Sequence, residues 1–289
     1  MKIPFNICNQ TRKKFLQLKN KIIKNETIKN KKIKNKTIKK KIKYTVSETK
    51  KHLTDLLNNF DKKNKVIPLN IFQVWHDKKK IPVSVKESIE LIKKQNPEFK
   101  HHLFDEKECY NFIKKYFSKK ILNAYEKVIP HALKADLWRY CVLYKHGGIY
   151  LDSKYYGVNN FKLILLTDKE YFCRDINISF NGIYNAILIC KPKNKILLKC
   201  INKCVKNIEN ELYYSQGLCP TGPLMMKQFF NKTQLNNLNL VLEVVDKNNK
   251  YINLNNYRIL KFHENYSKDK AQTSNHWSVY WKNKTMYKT

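Results

Sequence analysis

From Pro130 to Asp152 the chain runs through a helix, a glycine pair and a strand with almost no residue between them. Pro130 is a helix-opening residue, because its fixed φ suits the first turn. Gly147 and Gly148 end that helix and let the backbone reverse sharply. Ile149 to Asp152 then reads as a strand. A helix fed directly into a strand packs back on that strand's sheet, which narrows the chain to an α/β architecture. The same alternation extends on both sides. Strands are expected at 70–75, 99–104, 186–190, 238–245 and 258–262, and helices from Pro82 to Gln95, over much of 106–127 and over 196–205. Thr221-Gly222-Pro223 marks a turn before another helix. The pattern predicts a mainly parallel sheet flanked by helices, with ligands bound at the carboxyl ends of its strands.

Ahead of this region the chain changes character. Residues 1–46 read as a basic, low-complexity tail, 47–65 as a short helix and linker, and 66–289 as the folded domain. In the tail Ile23, Ile28, Ile33 and Ile38 recur every five residues, a period that fits neither helix nor strand, so disorder is expected. Residues 1–65 carry 21 Lys/Arg against 4 Asp/Glu, about half of a net charge of +35. That excess allows contact with a polyanion or an anionic membrane. Yet only Arg12, Arg139, Arg174 and Arg258 are arginine, the usual reader of phosphate and base edges. The lysines also lack an aromatic stacking platform. The eight cysteines form no C-x-x-C pair and mostly lie in apolar runs, as buried reduced thiols do. No apolar run approaches the roughly 20 residues that span a bilayer, and no signal core is evident. A soluble, cytoplasmic protein is expected.

The chemistry concentrates in Ala132–Tyr155, ALKADLWRYCVLYKHGGIYLDSKY. Asp136 and Arg139 are three apart on the helix and share a face. Asp152 falls at the end of the following strand. Read singly, the first two are an ordinary helix ion pair and the third a turn aspartate. Their combination in one order is far more specific.

This segment resembles glycosyltransferase family 32, the enzymes with the "DXD" sugar-binding region, whose pattern is A-x-x-SD-x-x-R-x-x-x-L-x-x-x-GG-x-YLD-x-D. Asp136, Arg139, Leu143, Gly147, Gly148, Tyr150, Leu151 and Asp152 match it in register, with Ala135 at the serine position. Ile71–His76 resembles the family's first strand, Asn96–Phe99 its N-P-x-(Y/F) step, Thr221-Gly222-Pro223 its T-G-P, and His276 to Trp281 its C-terminal H-x-W-x-x-S-W region. The resemblance implies a GT-A fold, a Rossmann-like nucleotide-binding sheet flanked by helices. It implies transfer of a hexose from a nucleoside diphosphate sugar to a hydroxyl of a glycan or protein acceptor, with retention. Gln73, Trp75 and Trp281 would border the nucleotide. Asp136 and Arg139 would hold the sugar and diphosphate, and Asp152 would face the ribose, the sugar or a metal.

At one position the chain departs from the pattern. Lys154 stands where the second motif aspartate, a ligand of Mn²⁺ or Mg²⁺, is expected. An ammonium repels a cation but binds phosphate itself, so Lys154 is a candidate substitute for the metal. Otherwise Asp152, His276 and Asp175 are the candidate metal ligands. Two further readings remain: a sugar-nucleotide or glycan binder that has lost catalysis, and a polyanion-binding protein acting through residues 1–65.

Overall fold

The computed structural model describes residues 65–176, 182–215, 220–246, 248–271 and 276–288. The expected tail over 1–46 and nearly all of the expected helix and linker over 47–65 lie outside the described residues. From residue 66 onward each predicted strand and helix is present, with shifted ends. The strands are β1 (Asn70–Val74), β2 (Lys100–Phe104), β3 (Gly148–Leu151), β4 (Tyr155–Gly157), β5 (Tyr171–Asp175), β6 (Gly182–Cys190), β7 (Leu240–Val244), β8 (Lys250–Leu254) and β9 (Tyr257–Phe262). The longer helices are α1 (Val83–Gln95), α2 (Glu106–Tyr116), α3 (Lys119–Lys127), α4 (His131–His146) and α5 (Lys195–Glu209). Four short ones follow: α6 (Pro223–Lys227), α7 (Lys232–Asn236), α8 (Tyr266–Lys270) and α9 (Trp277–Lys282). None of the described helices is long and apolar enough to cross a membrane.

The strands form one mixed sheet in the order β2-β1-β3-β6-β5-β7-β8-β9-β4. Here the expectation of a mainly parallel sheet is corrected. β1 pairs parallel with β2 and β3, and β5 with β7, while the other five pairings are antiparallel. The reason lies in short returns. Asn255 and Asn256, with φ of 47° and 74°, make a tight left-handed turn between β8 and β9, the geometry that closes a two-residue hairpin.

β1 is flanked by β2 on one side and β3 on the other, so the chain switches direction across the sheet at β1. Ligands of open α/β sheets bind at such a switch, beyond the carboxyl ends of the strands. Both faces are buried. Phe72, Tyr150 and Leu188 pack with α2–α5, while Ile71, Ile149, Leu151 and Ile187 pack on the opposite side. This explains the unbroken apolar run of β3. The glycine pair makes the junction: Gly147 (φ 63°) caps α4 by donating to Leu143, and a Cβ on Gly148 (φ 114°) would lie 2.7 Å from the Asn70 carbonyl oxygen.

β3 is third in the sheet and β4 ninth, yet only Asp152, Ser153 and Lys154 separate them. A flat sheet would place them about 29 Å apart, whereas the connection reaches at most about 14 Å. The sheet therefore curls until its far edge meets its centre. α1 fastens that edge: the Gln95 amide donates to the Gly157 carbonyl (3.1 Å) and accepts from its N–H (3.0 Å), standing in for a neighbouring strand. Gln95→Leu leaves both backbone groups without that partner. It is expected to cost about 2 kcal/mol, read as a lower urea midpoint with an unchanged slope.

Candidate functional site

A cleft of about 830 Å³ opens at the carboxyl ends of β1 and β3, within the size range of small-molecule sites. Its floor is a charged cluster. α4 is buried along Leu133, Leu137, Trp138, Tyr140 and Leu143, which fixes its roll and aims Asp136 and Arg139 at the end of β3. Arg139 joins the parts. Its Nη2 lies 3.2 Å from Asp136 Oδ1 and its Nη1 3.2 Å from Asp152 Oδ1. Nη1 also donates to the Asn185 carbonyl of β6 (2.6 Å), Nε to the Ala135 carbonyl (3.1 Å), and the guanidinium stacks 4.3 Å over Tyr150.

The carboxylates are held from other directions as well. Asp136 accepts from Asn185 Nδ2 (2.9 Å) and Thr221 Oγ1 (2.8 Å), and Asn185 donates also to the Tyr140 hydroxyl. Asp152 accepts from the Tyr150 hydroxyl (2.7 Å) and pairs through Oδ2 with Lys154 Nζ (2.6 Å). Each carboxylate thus uses three of its roughly four acceptor positions, leaving one for a ligand hydroxyl. The two respond differently to their surroundings. Burial pushes the Asp136 carboxyl up, against the pull of Arg139 and Thr221. Burial also opposes ionisation of Asp152, but Lys154 and Arg139 outweigh it and hold it at about 2. Burial works against the Lys154 charge too, and Asp152 more than restores it, raising its pKa above the ordinary lysine value.

A second polar corner lines the same cleft. His76 and His131 stack with ring centroids 4.4 Å apart, and Glu106 is bound by both His131 and Lys134. Burial opposes the Glu106 charge, yet those two partners bring its pKa down to about 2.

Asp136, Arg139, Asp152 and Lys154 are thus brought together, and Trp75, Asp175 and His276 line the same cleft. Trp75 donates from its ring to the Lys80 carbonyl. The ring of His276 caps α9, accepting from the Ser278 N–H. Gln73 is fully buried beside His101, which it meets at 2.6 Å, and does not line the cleft. Nor does Trp281, which donates to the Tyr213 carbonyl and packs on the helical core, whereas Trp277 reaches the cleft. Asn185 and Thr221 were not singled out as site residues from sequence. An asparagine inside the apolar run of β6 was a usable signal, since a buried amide needs partners.

The residues around Asp152 do not fit a divalent cation. Its Oδ2 already contacts an ammonium and its Oδ1 a guanidinium. Among the described residues no three His, Cys, Asp or Glu side chains converge as metal ligands.

The two pKa directions separate the carboxylates experimentally. Asp152, depressed from 3.8 to about 2, stabilises the fold above pH 3.8, and that contribution fades as pH falls toward about 2. Asp136, raised, contributes in the opposite sense. Asp152→Asn leaves two cations short of their partner and is expected to cost about 3 kcal/mol at pH 7. Asp136→Asn costs less. Thermal unfolding of both variants at pH 7 reads the order.

Parts of the chain are similar to known proteins. Residues 82–170 match the family described as glycosyltransferase sugar-binding region containing DXD motif. An uncharacterized glycosyltransferase of Acanthamoeba polyphaga mimivirus is 39% identical over 132 residues, 45% of this chain and 53% of that protein. The initiation-specific α-1,6-mannosyltransferase of Candida albicans is 31% identical over 100 residues, 33% of this chain and 26% of that protein. The matches therefore span about half of the first relative and a quarter of the second. Among solved structures, the PaToxG glycosyltransferase is similar with a TM-score of 0.45 and 21% identity, covering 62% of this chain and 76% of that one. Asp136, Arg139 and Asp152 all fall inside residues 82–170, the part of the chain that is similar to the DXD-containing sugar-binding region.

Proposed function

We propose that this cleft binds a nucleoside diphosphate hexose and transfers its sugar to a hydroxyl of a glycan or protein acceptor. The observation that carries the reading is the Asp136–Arg139–Asp152 cluster at a strand end. Two carboxyl groups, each with an acceptor position to spare, suit the vicinal hydroxyls of a hexose. Arg139 commits four of its five donors to protein partners, so its main role is to fix the two carboxylates relative to each other. Such preorganisation holds the sugar in one pose without reorganising the site during reaction.

In the transfer, the bond from the anomeric carbon to the diphosphate oxygen breaks and a bond to the acceptor oxygen forms. The acceptor's proton leaves with the diphosphate on the same face, giving retention. Retention is implied by the family resemblance and is read from the anomeric coupling constant of the product by NMR. Trp75 and Trp277 wall the cleft and limit water near the anomeric carbon.

A panel of UDP- and GDP-hexoses, assayed for release of nucleoside diphosphate with and without sugar acceptors, tests the function. At least one donor is expected to turn over. Arg139→Lys cannot bridge both carboxylates and the Asn185 carbonyl, so kcat/KM is expected to fall about a hundredfold. Turnover unaffected by Arg139→Lys would remove this site from the reaction.

A further inference from the structure

Lys154 occupies the position of the second DXD carboxylate, and its ammonium is enclosed. The side chain is only 18% exposed. Nζ lies 6.0, 5.9 and 5.7 Å from the ring centres of Tyr155, Tyr184 and Tyr266, within the range at which an aromatic face attracts a cation. The rings brace one another. The Tyr155 and Tyr184 hydroxyls meet at 2.8 Å, Tyr155 packs edge-on to Phe262, and Phe262 edge-on to Tyr266. The backbone is pinned as well, because the Lys154 carbonyl accepts from the His263 N–H (2.9 Å). The cage thus draws on β4, β6 and α8.

Charge balance shows what this arrangement replaces. Asp136 and Asp152 are matched by Arg139 and Lys154, so the cluster is neutral. An aspartate at 154 would leave two negative charges in excess, which is the charge a divalent cation neutralises. The chain supplies the missing positive charge from the Lys154 side chain, and a cation at Asp152 Oδ2 would have to displace it. An ammonium has three donors; one serves Asp152 and the others are available at the cleft wall.

We propose that Lys154, held by Tyr155, Tyr184 and Tyr266, is the fixed cation that receives the diphosphate of the donor, so that donor binding here needs no divalent metal. The inference rests on the donor reading above and identifies its charge partner. Water is partly excluded around the ring-lined ammonium, which strengthens its attraction for phosphate oxygens. Tyr184 acts as a positioning residue.

Isothermal titration of the full chain with UDP and with GDP, in EDTA and in Mn²⁺, tests it. The wild-type protein is expected to bind one of them in EDTA, with less than about a threefold gain from Mn²⁺. Lys154→Met keeps the stem among the rings and is expected to lose at least about tenfold in EDTA. Lys154→Asp restores the carboxylate pair and is expected to bind only with Mn²⁺. Tyr184→Phe is expected to keep metal-free binding, while Tyr184→Leu weakens it. Wild-type binding that disappears in EDTA, or survives Lys154→Met there unchanged, overturns this inference and leaves the donor reading standing. Absence of binding by both nucleotides in both conditions overturns the donor reading and this inference with it.

Discussion

The guanidinium of Arg139 is the interaction on which the site depends. It is 5% exposed and reaches Asp136 on its own helix, Asp152 at the end of β3 and the Asn185 carbonyl on β6. One planar group thus ties a helix and the strand that follows it to β6, more than thirty residues further along the chain. Buried carboxylates are costly unless paired and hydrogen-bonded. Arg139 makes two of them tolerable side by side, and Asn185, Thr221 and Tyr150 complete their shells. A lysine could supply the charge but not the fork.

The curl of the sheet then brings the second cation. Because three residues link the third strand to the far edge, the connection itself crosses the mouth of the cleft. Ser153 donates to the Val74 carbonyl at the end of β1, and Lys154 stands over Asp152. Gln95 holds the curled edge against α1 through Gly157, so a contact remote from the cluster shares in keeping Lys154 in place.

Much of this was legible in the sequence because it is local. Asp136 and Arg139 share a helix face by spacing alone, and the glycine pair fixes where Asp152 must fall. The apolar periods located the strands and helices to within a few residues. The buried thiols also follow from pattern: Cys109, Cys141, Cys173, Cys190, Cys200 and Cys204 are free and buried. What the sequence did not disclose depends on distant pairing. β4 and β8 are short and carry mixed polarity, so no period reveals them. The antiparallel returns turned an expected mainly parallel sheet into a mixed one. Trp277 and Trp281 are four apart on one helix and both pack on the core, and only the tertiary packing decides that the first also reaches the cleft. The tyrosine cage around Lys154 joins positions 155, 184 and 266, which no local pattern could associate.

The central claim is that the Asp136–Arg139–Asp152 cluster is where the sugar of a nucleotide donor sits. A crystal structure of the chain with a bound nucleotide hexose tests it most directly. The account predicts sugar hydroxyls within about 2.6–3.2 Å of free acceptor positions on Asp136 and Asp152, with the Arg139 bridge intact. A hexose bound elsewhere, with both carboxylates contacting only protein, would contradict it.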